Sequence, residues 1–157
     1  MKKFSYLTSY ISHLVNRQAK RILFLLVLII CVSISSYSQN KHNWLSFRGN
    51  SSLCGITEAN VPKAPKLLWS FKTGDAVKSS PIISNGNIFV GSNNGKLYAI
   101  SKTGQLKWKF DAKTSVEASP LYLDGNVYFG SLEGIFYCLN ATTGELKWKY
   151  TTDGQIS

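Results

Sequence analysis

The chain has 157 residues, 44% of them hydrophobic, and a formal net charge of +10 from 18 basic and 8 acidic residues. Half of that charge comes from Lys2, Lys3, Arg17, Lys20 and Arg21 in the leader, which has no acid, and the remaining Lys and Arg are scattered singly. This spread describes solvated faces rather than the clustered basic stripe of a nucleic-acid binder, so no nucleic-acid partner is expected.

Met1 to Arg21 is basic and polar, and the apolar run Ile22 to Val32 is shorter than the roughly 20 residues a bilayer span needs. Ser36-Tyr37-Ser38 then offers small residues at the positions a signal peptidase reads, so residues 1–38 are expected to be a secretory signal peptide cut before Gln39. Two alternatives stay open. Leu28-Ile29-Ile30-Cys31 is similar to a lipobox, with Ile30 where a small residue is expected, and the apolar run can also stay uncleaved as an anchor. Either would tether the chain to a membrane through its N-terminus.

Residues 39–66 read as a loop-rich lead-in. Gly49, Gly55, Pro62 and Pro65 punctuate it, because Gly marks turns and Pro lacks a ladder donor. Trp44 and Phe47 are expected to pack on the domain behind them, and His42, alone in the mature chain, is expected to be inert. Cys54 and Cys138 could form a disulfide in an oxidising compartment, but spacing does not decide it. Cys138 replaces a small apolar residue of a sister segment (Ala99) and is expected to be a small buried side chain.

From residue 67 onward one pattern is stated twice and a third copy begins. Trp69/Trp108, Phe71/Phe110, Val77/Val116, Ser80-Pro81/Ser119-Pro120, Gly86-Asn87/Gly125-Asn126, Gly91-Ser92/Gly130-Ser131, Gly95/Gly134 and Tyr98/Tyr137 coincide without a gap. After one inserted residue, Thr103-Gly104 and Leu106-Lys107-Trp108-Lys109-Phe110 match Thr143-Gly144 and Leu146-Lys147-Trp148-Lys149-Tyr150. A period of about 40 residues marks a repeat architecture.

The first unit is expected to run as strands 79–83, 87–91, 96–100 and 106–110, and the second as 118–123, 126–130, 135–139 and 146–150. Asn85-Gly86 and Asp124-Gly125 are hairpin turns in which both residues tolerate positive φ. Runs such as NIFVG and NVYFG barely alternate, which implies sheets covered on both faces. Four hairpin-linked strands in such a unit, stacked radially, make a β-propeller blade. The fold class is therefore all-β: a propeller of four-stranded antiparallel blades, two of them complete.

Leu67 to Phe71 (LLWSF) matches the last strand of a unit with no unit before it, and is expected to complete a final blade by ring closure. Ser157 aligns with Lys78 and Glu117, just before the next Ser-Pro. Because propellers close with about 4 to 8 blades, the expectation is an N-terminal fragment.

Cys138-Leu139-Asn140-Ala141-Thr142-Thr143-Gly144-Glu145-Leu146-Lys147-Trp148 resembles the repeat signature of the PQQ-type (pyrroloquinoline-quinone-like) β-propellers, with Cys for Ala and Asn for Asp. The resemblance spans residues 67–157, and Trp44-Leu45-Ser46-Phe47-Arg48-Gly49 is similar to the lead-in of secreted bacterial members. It implies that the repeat tryptophans dock on the neighbouring blade, which makes Trp69, Trp108 and Trp148, with Thr103-Gly104 and Thr143-Gly144, candidate blade-docking residues. It also implies that blade-opening residues face a central channel, with Lys78 and Glu117 as lining candidates.

The dehydrogenases of that family bind PQQ with a vicinal disulfide, and calcium with Glu, Asn and Asp. This chain has no Cys-Cys pair and no carboxylates at such spacing, so no catalytic, cofactor-binding or metal residue is expected within it. The BamB branch, exported scaffolds of outer-membrane protein assembly, needs no cofactor. The expected role is a non-enzymatic interaction scaffold of the periplasm or cell envelope, with envelope proteins as partners. Two alternatives remain: the N-terminal part of a quinoprotein dehydrogenase using PQQ and calcium, and the propeller sensor domain of a membrane receptor kinase.

Overall fold

The computed structural model describes residues 43–60 and 62–157; the leader, Cys31 and His42 lie outside them. Among the described residues there are eight strands and no helix: β1 (Ile82–Ser84), β2 (Asn87–Gly91), β3 (Lys96–Ser101), β4 (Leu106–Asp111), β5 (Leu121–Leu123), β6 (Asn126–Gly130), β7 (Ile135–Asn140) and β8 (Leu146–Thr151). They form two four-stranded antiparallel meanders, β1-β2-β3-β4 and β5-β6-β7-β8. These are the two blades.

The turn chemistry explains the meander. Asn85 and Gly86 sit at φ 49° and 74°, and Asp124 and Gly125 at 47° and 76°, so both tight hairpins have the two positive-φ residues that match strand twist. Both blades carry a register shift at the same place, between Ala99 and Ile100 and between Cys138 and Leu139. The inner strands are shorter than the sequence suggests, starting at Ile82 and Leu121 instead of residues 79 and 118. Pro81 and Pro120 lack the N–H that would extend the ladder through them.

Alternation then sends each blade's side chains to two flanks. Phe89, Leu97 and Ala99 of the first blade meet Phe129, Tyr137 and Leu139 of the second, with Ile82, Val127 and the connector residues Ala112 and Val116, in one buried cluster. On the opposite flank of the first blade, Val90, Tyr98 and Ile100 pack with Trp69, Phe71 and Ile88. Burying each large side chain of this kind contributes about 1.5–3 kcal/mol. The interior strands β2, β3, β6 and β7 carry most of that burial, whereas every residue of β8 is exposed.

Residues 67–71 differ from expectation. They form no strand, and Leu67 and Leu68 are each 86% exposed. Only Trp69 and Phe71 are anchored, by side chains rather than by a ladder, because no described strand lies beside this segment to pair with it.

Candidate functional site

The repeat residues come together where one blade meets the next. Trp69 Nε1 donates to the Lys102 carbonyl at 2.9 Å, and Trp108 Nε1 donates to the Ala141 carbonyl at 3.1 Å. Each indole lies on the glycine of the following Thr-Gly turn. A Cβ on Gly104 would stand 2.7 Å from Trp69 Cγ, and one on Gly144 would stand 2.6 Å from Trp108 Cδ2. Thr103 and Thr143 are exposed and bond locally within those turns: Thr103 Oγ1 shares a 2.8 Å hydrogen bond with Ser101 Oγ, and Thr143 Oγ1 donates to Glu145 Oε2 at 3.1 Å.

Trp148 is placed otherwise. It packs on Tyr128 and Phe136 of its own blade, with centroids 6.0 Å away in both cases, and is 45% exposed. This flank corresponds, residue for residue, to the flank of the first blade that is buried.

A second repeated contact was hidden in the sequence. The Val116 carbonyl would lie 2.4 Å from a Cβ on Gly91, and Ile156 Cγ2 would lie 2.3 Å from one on Gly130. The connector leaving each blade is therefore laid back over the end of that blade's second strand. Backbone bonds fix it there: Val116 N–H to Ser92 O at 3.1 Å and Ile156 N–H to Ser131 O at 3.2 Å. Tyr98 and Tyr137 hold instead the segment that enters their own blade, donating their hydroxyls to Thr73 O at 2.9 Å and Ala112 O at 3.3 Å.

At the inner edge, repeat-equivalent residues are bonded to each other. Lys78 Nζ reaches Glu117 Oε1 at 2.9 Å, with side chains 59% and 19% exposed. Ser79 Oγ donates to Ala118 O at 3.1 Å, and the Ser80 N–H donates to Ser119 Oγ at 3.3 Å. The two lining candidates thus form a bridge between blades rather than two separate groups.

The lead-in crosses the same edge. Trp44 and Ile83 exchange two backbone hydrogen bonds of 2.7 Å, and the Tyr122 N–H donates to Leu45 O at 2.8 Å. Ile83 and Tyr122 are themselves repeat equivalents, so two successive lead-in residues cap the open edge of two successive blades. Sequence reasoning placed Trp44 against the domain but missed this strap, because main-chain bonds leave no side-chain pattern. Phe47 stays 48% exposed.

Electrostatics at these elements is local. The Lys113 ammonium bonded to Asp111 at 2.8 Å holds that carboxyl below its ordinary value and raises Lys113 in turn. Burial pushes the Tyr137 phenol up, with Glu133 adding to it, and loss of hydration followed by contact with Cys138 pushes Tyr128 up.

The described residues do not fit PQQ or calcium. Cys54 and Cys138 are free thiols, one exposed and one buried, which leaves the disulfide alternative without support. No group of three or more His, Cys, Asp or Glu able to hold a metal occurs among the described residues. Cys138 is 1% exposed, the buried small side chain its sister Ala99 implied.

The family model described as outer membrane protein assembly factor BamB matches residues 61–157. The chain belongs to this PQQ-like propeller family. Solved structures of PQQ-like propeller proteins resemble it in fold. BamB from Moraxella catarrhalis is 23% identical, with a TM-score of 0.50 over 54% of this chain and 27% of that one. The quinohemoprotein alcohol dehydrogenase ADHIIG from Pseudomonas putida HK5 is 21% identical, with a TM-score of 0.62 over 71% of this chain and 19% of that one. The corresponding enzyme from Comamonas testosteroni is 20% identical, with a TM-score of 0.61 over 73% and 20%. The chain thus spans 19% to 27% of the length of these propellers. No curated protein matches it. At these identities the solved structures speak for the PQQ-like blade alone, which BamB and the dehydrogenases share.

Proposed function

We propose that the chain belongs to an exported, non-enzymatic PQQ-like propeller that acts as an interaction scaffold in the bacterial cell envelope, in the manner of BamB. The match of residues 61–157 to the BamB family model carries this reading. A leader with a basic start, an apolar run and a small-residue cleavage site supports export through residues 1–38, followed by the lead-in 39–66 and the blades 67–157. In this reading Trp69 and Trp108, seated on Thr-Gly turns, and their repeat equivalent Trp148 lock blade to blade, and Lys78 and Glu117 stand at the rim of the channel. The partners are envelope proteins, including the outer-membrane assembly machinery, met on blade edges and loops; no cofactor takes part.

Such scaffolds work by holding surface fixed, and the contacts between blades do that here. Their aromatic interface leaves the charged Lys, Asp and Glu side chains outside, where solvation suits them. The test is crosslinking in envelope fractions of cells making the whole gene product, followed by affinity capture. Recovery of outer-membrane assembly proteins is expected. Capture of none, together with alcohol- or sugar-dependent dye reduction restored by PQQ and calcium, would overturn the scaffold in favour of a dehydrogenase.

A further inference from the structure

The strap and the first inner strand border an open cleft. Its volume is about 420 Å³, and it is lined by Trp44, Phe47, Arg48, Ser80, Pro81 and Ile83. That volume lies in the range of small-molecule sites, which are mostly apolar with few polar groups. Here Trp44, Pro81 and Ile83 form apolar walls, and the only charged member is Arg48.

Arg48 is held in place by construction. Its φ of 57° is left-handed, a conformation that L-residues avoid, and Gly49 follows at 91°. Gly49 has no Cβ because the Trp44 ring occupies that space, where a Cβ would lie 2.9 Å from Trp44 Cε3. The turn is closed by Gly49 N–H to Ser46 O at 2.9 Å and Gly55 N–H to Arg48 O at 3.0 Å. The guanidinium carbon then stands 5.5 Å from the Phe47 ring centroid, so a cation–π contact steadies the side chain. Strained backbone that surroundings over-determine is a feature of ligand clamps.

Charge completes the case. The Lys78–Glu117 and Lys113–Asp111 pairs do not involve Arg48, and no ion pair joins its guanidinium to a carboxylate among the described residues. A planar fork of donors beside an apolar wall matches a carboxylate attached to an apolar body. We propose that this cleft binds a small apolar carboxylate, its carboxylate on Arg48 and its aliphatic or aromatic body against Trp44, Pro81 and Ile83.

This site goes beyond the scaffold reading and does not depend on it. The probe is 4-phenylbutyrate, titrated calorimetrically into the full chain beside its uncharged counterpart 4-phenylbutanol. The acid is expected to bind about tenfold or more tightly than the alcohol, as a charge-assisted pair implies. Arg48→Gln, on an exposed turn, should abolish that preference while leaving alcohol binding unchanged, and Arg48→Lys should keep part of it. Circular dichroism of each variant confirms that the fold is intact. Equal binding of acid and alcohol, an unchanged preference in Arg48→Gln, or no binding of the acid overturns the proposal.

Discussion

The indole of Trp108 occupies the space where Gly144 would carry a Cβ, 2.6 Å from its Cδ2, while its N–H is bonded to the Ala141 carbonyl one turn earlier. A side chain of one blade thereby reads the backbone of the next. Gly144 also sits at φ 76°, so any substitution meets both a strained backbone and a filled space.

Gly144→Ala is expected to cost about 2–4 kcal/mol, combining left-handed strain with overpacking against an aromatic ring. Gly125→Ala is the control: its φ is the same 76°, but nothing lies within 4 Å of the added methyl. It should cost only the strain, about 1 kcal/mol. Denaturant midpoints of the two variants separate the packing contribution from the conformational one. Equal losses would mean that the indole does not press on Gly144.

Much of this is legible in the repeat itself. Asn85-Gly86 and Asp124-Gly125 announced their hairpins because few other pairs tolerate positive φ twice, and the matched tryptophans and Thr-Gly turns marked the blade junctions. Lys78 and Glu117 were legible as a special position, yet their pairing was not inferred. It follows from the stacking itself, since equivalent positions of adjacent blades become neighbours and here carry opposite charge. What stayed hidden depends on the main chain: the strap from Trp44 to Ile83 and Tyr122, and the connectors over Gly91 and Gly130. Backbone bonds and close backbone approaches recur without a side-chain code, so only the glycines hinted at them. Residues 67–71 match the last strand of a repeat unit, but a strand exists only beside a partner.

The Lys78–Glu117 bridge is expected to matter little for stability. Lys78 is 59% exposed, and ion pairs of that kind are worth about 0.5 kcal/mol and weaken with salt. A double-mutant cycle with Lys78→Met and Glu117→Gln should give a coupling of about that size in dilute buffer, falling in high salt. A coupling several times larger and indifferent to salt would show that the pair is buried in solution.

Tyr137 gives the blades a weakness to alkali. Burial raises its phenol above the ordinary value of about 10, so its contribution is complete below that pH and is lost as pH rises through the raised value. Tyr137→Phe has no proton to lose. It should be about 1 kcal/mol less stable at neutral pH, having lost the bond to Ala112, yet decline more gently as pH rises above the ordinary phenol value. Parallel declines for the two proteins, followed by denaturation across that range, would contradict the assignment.

Hydrogen exchange of the indole N–H groups reads the contact between one blade and the next directly. Trp69 and Trp108 donate to carbonyls of the following turn, whereas Trp44 and Trp148 make no such bond among the described residues. In nitrogen-labelled protein, two of the four indole resonances should exchange slowly, and Gly144→Ala should release the one belonging to Trp108. Four indoles exchanging at one fast rate would contradict the interlocked blades.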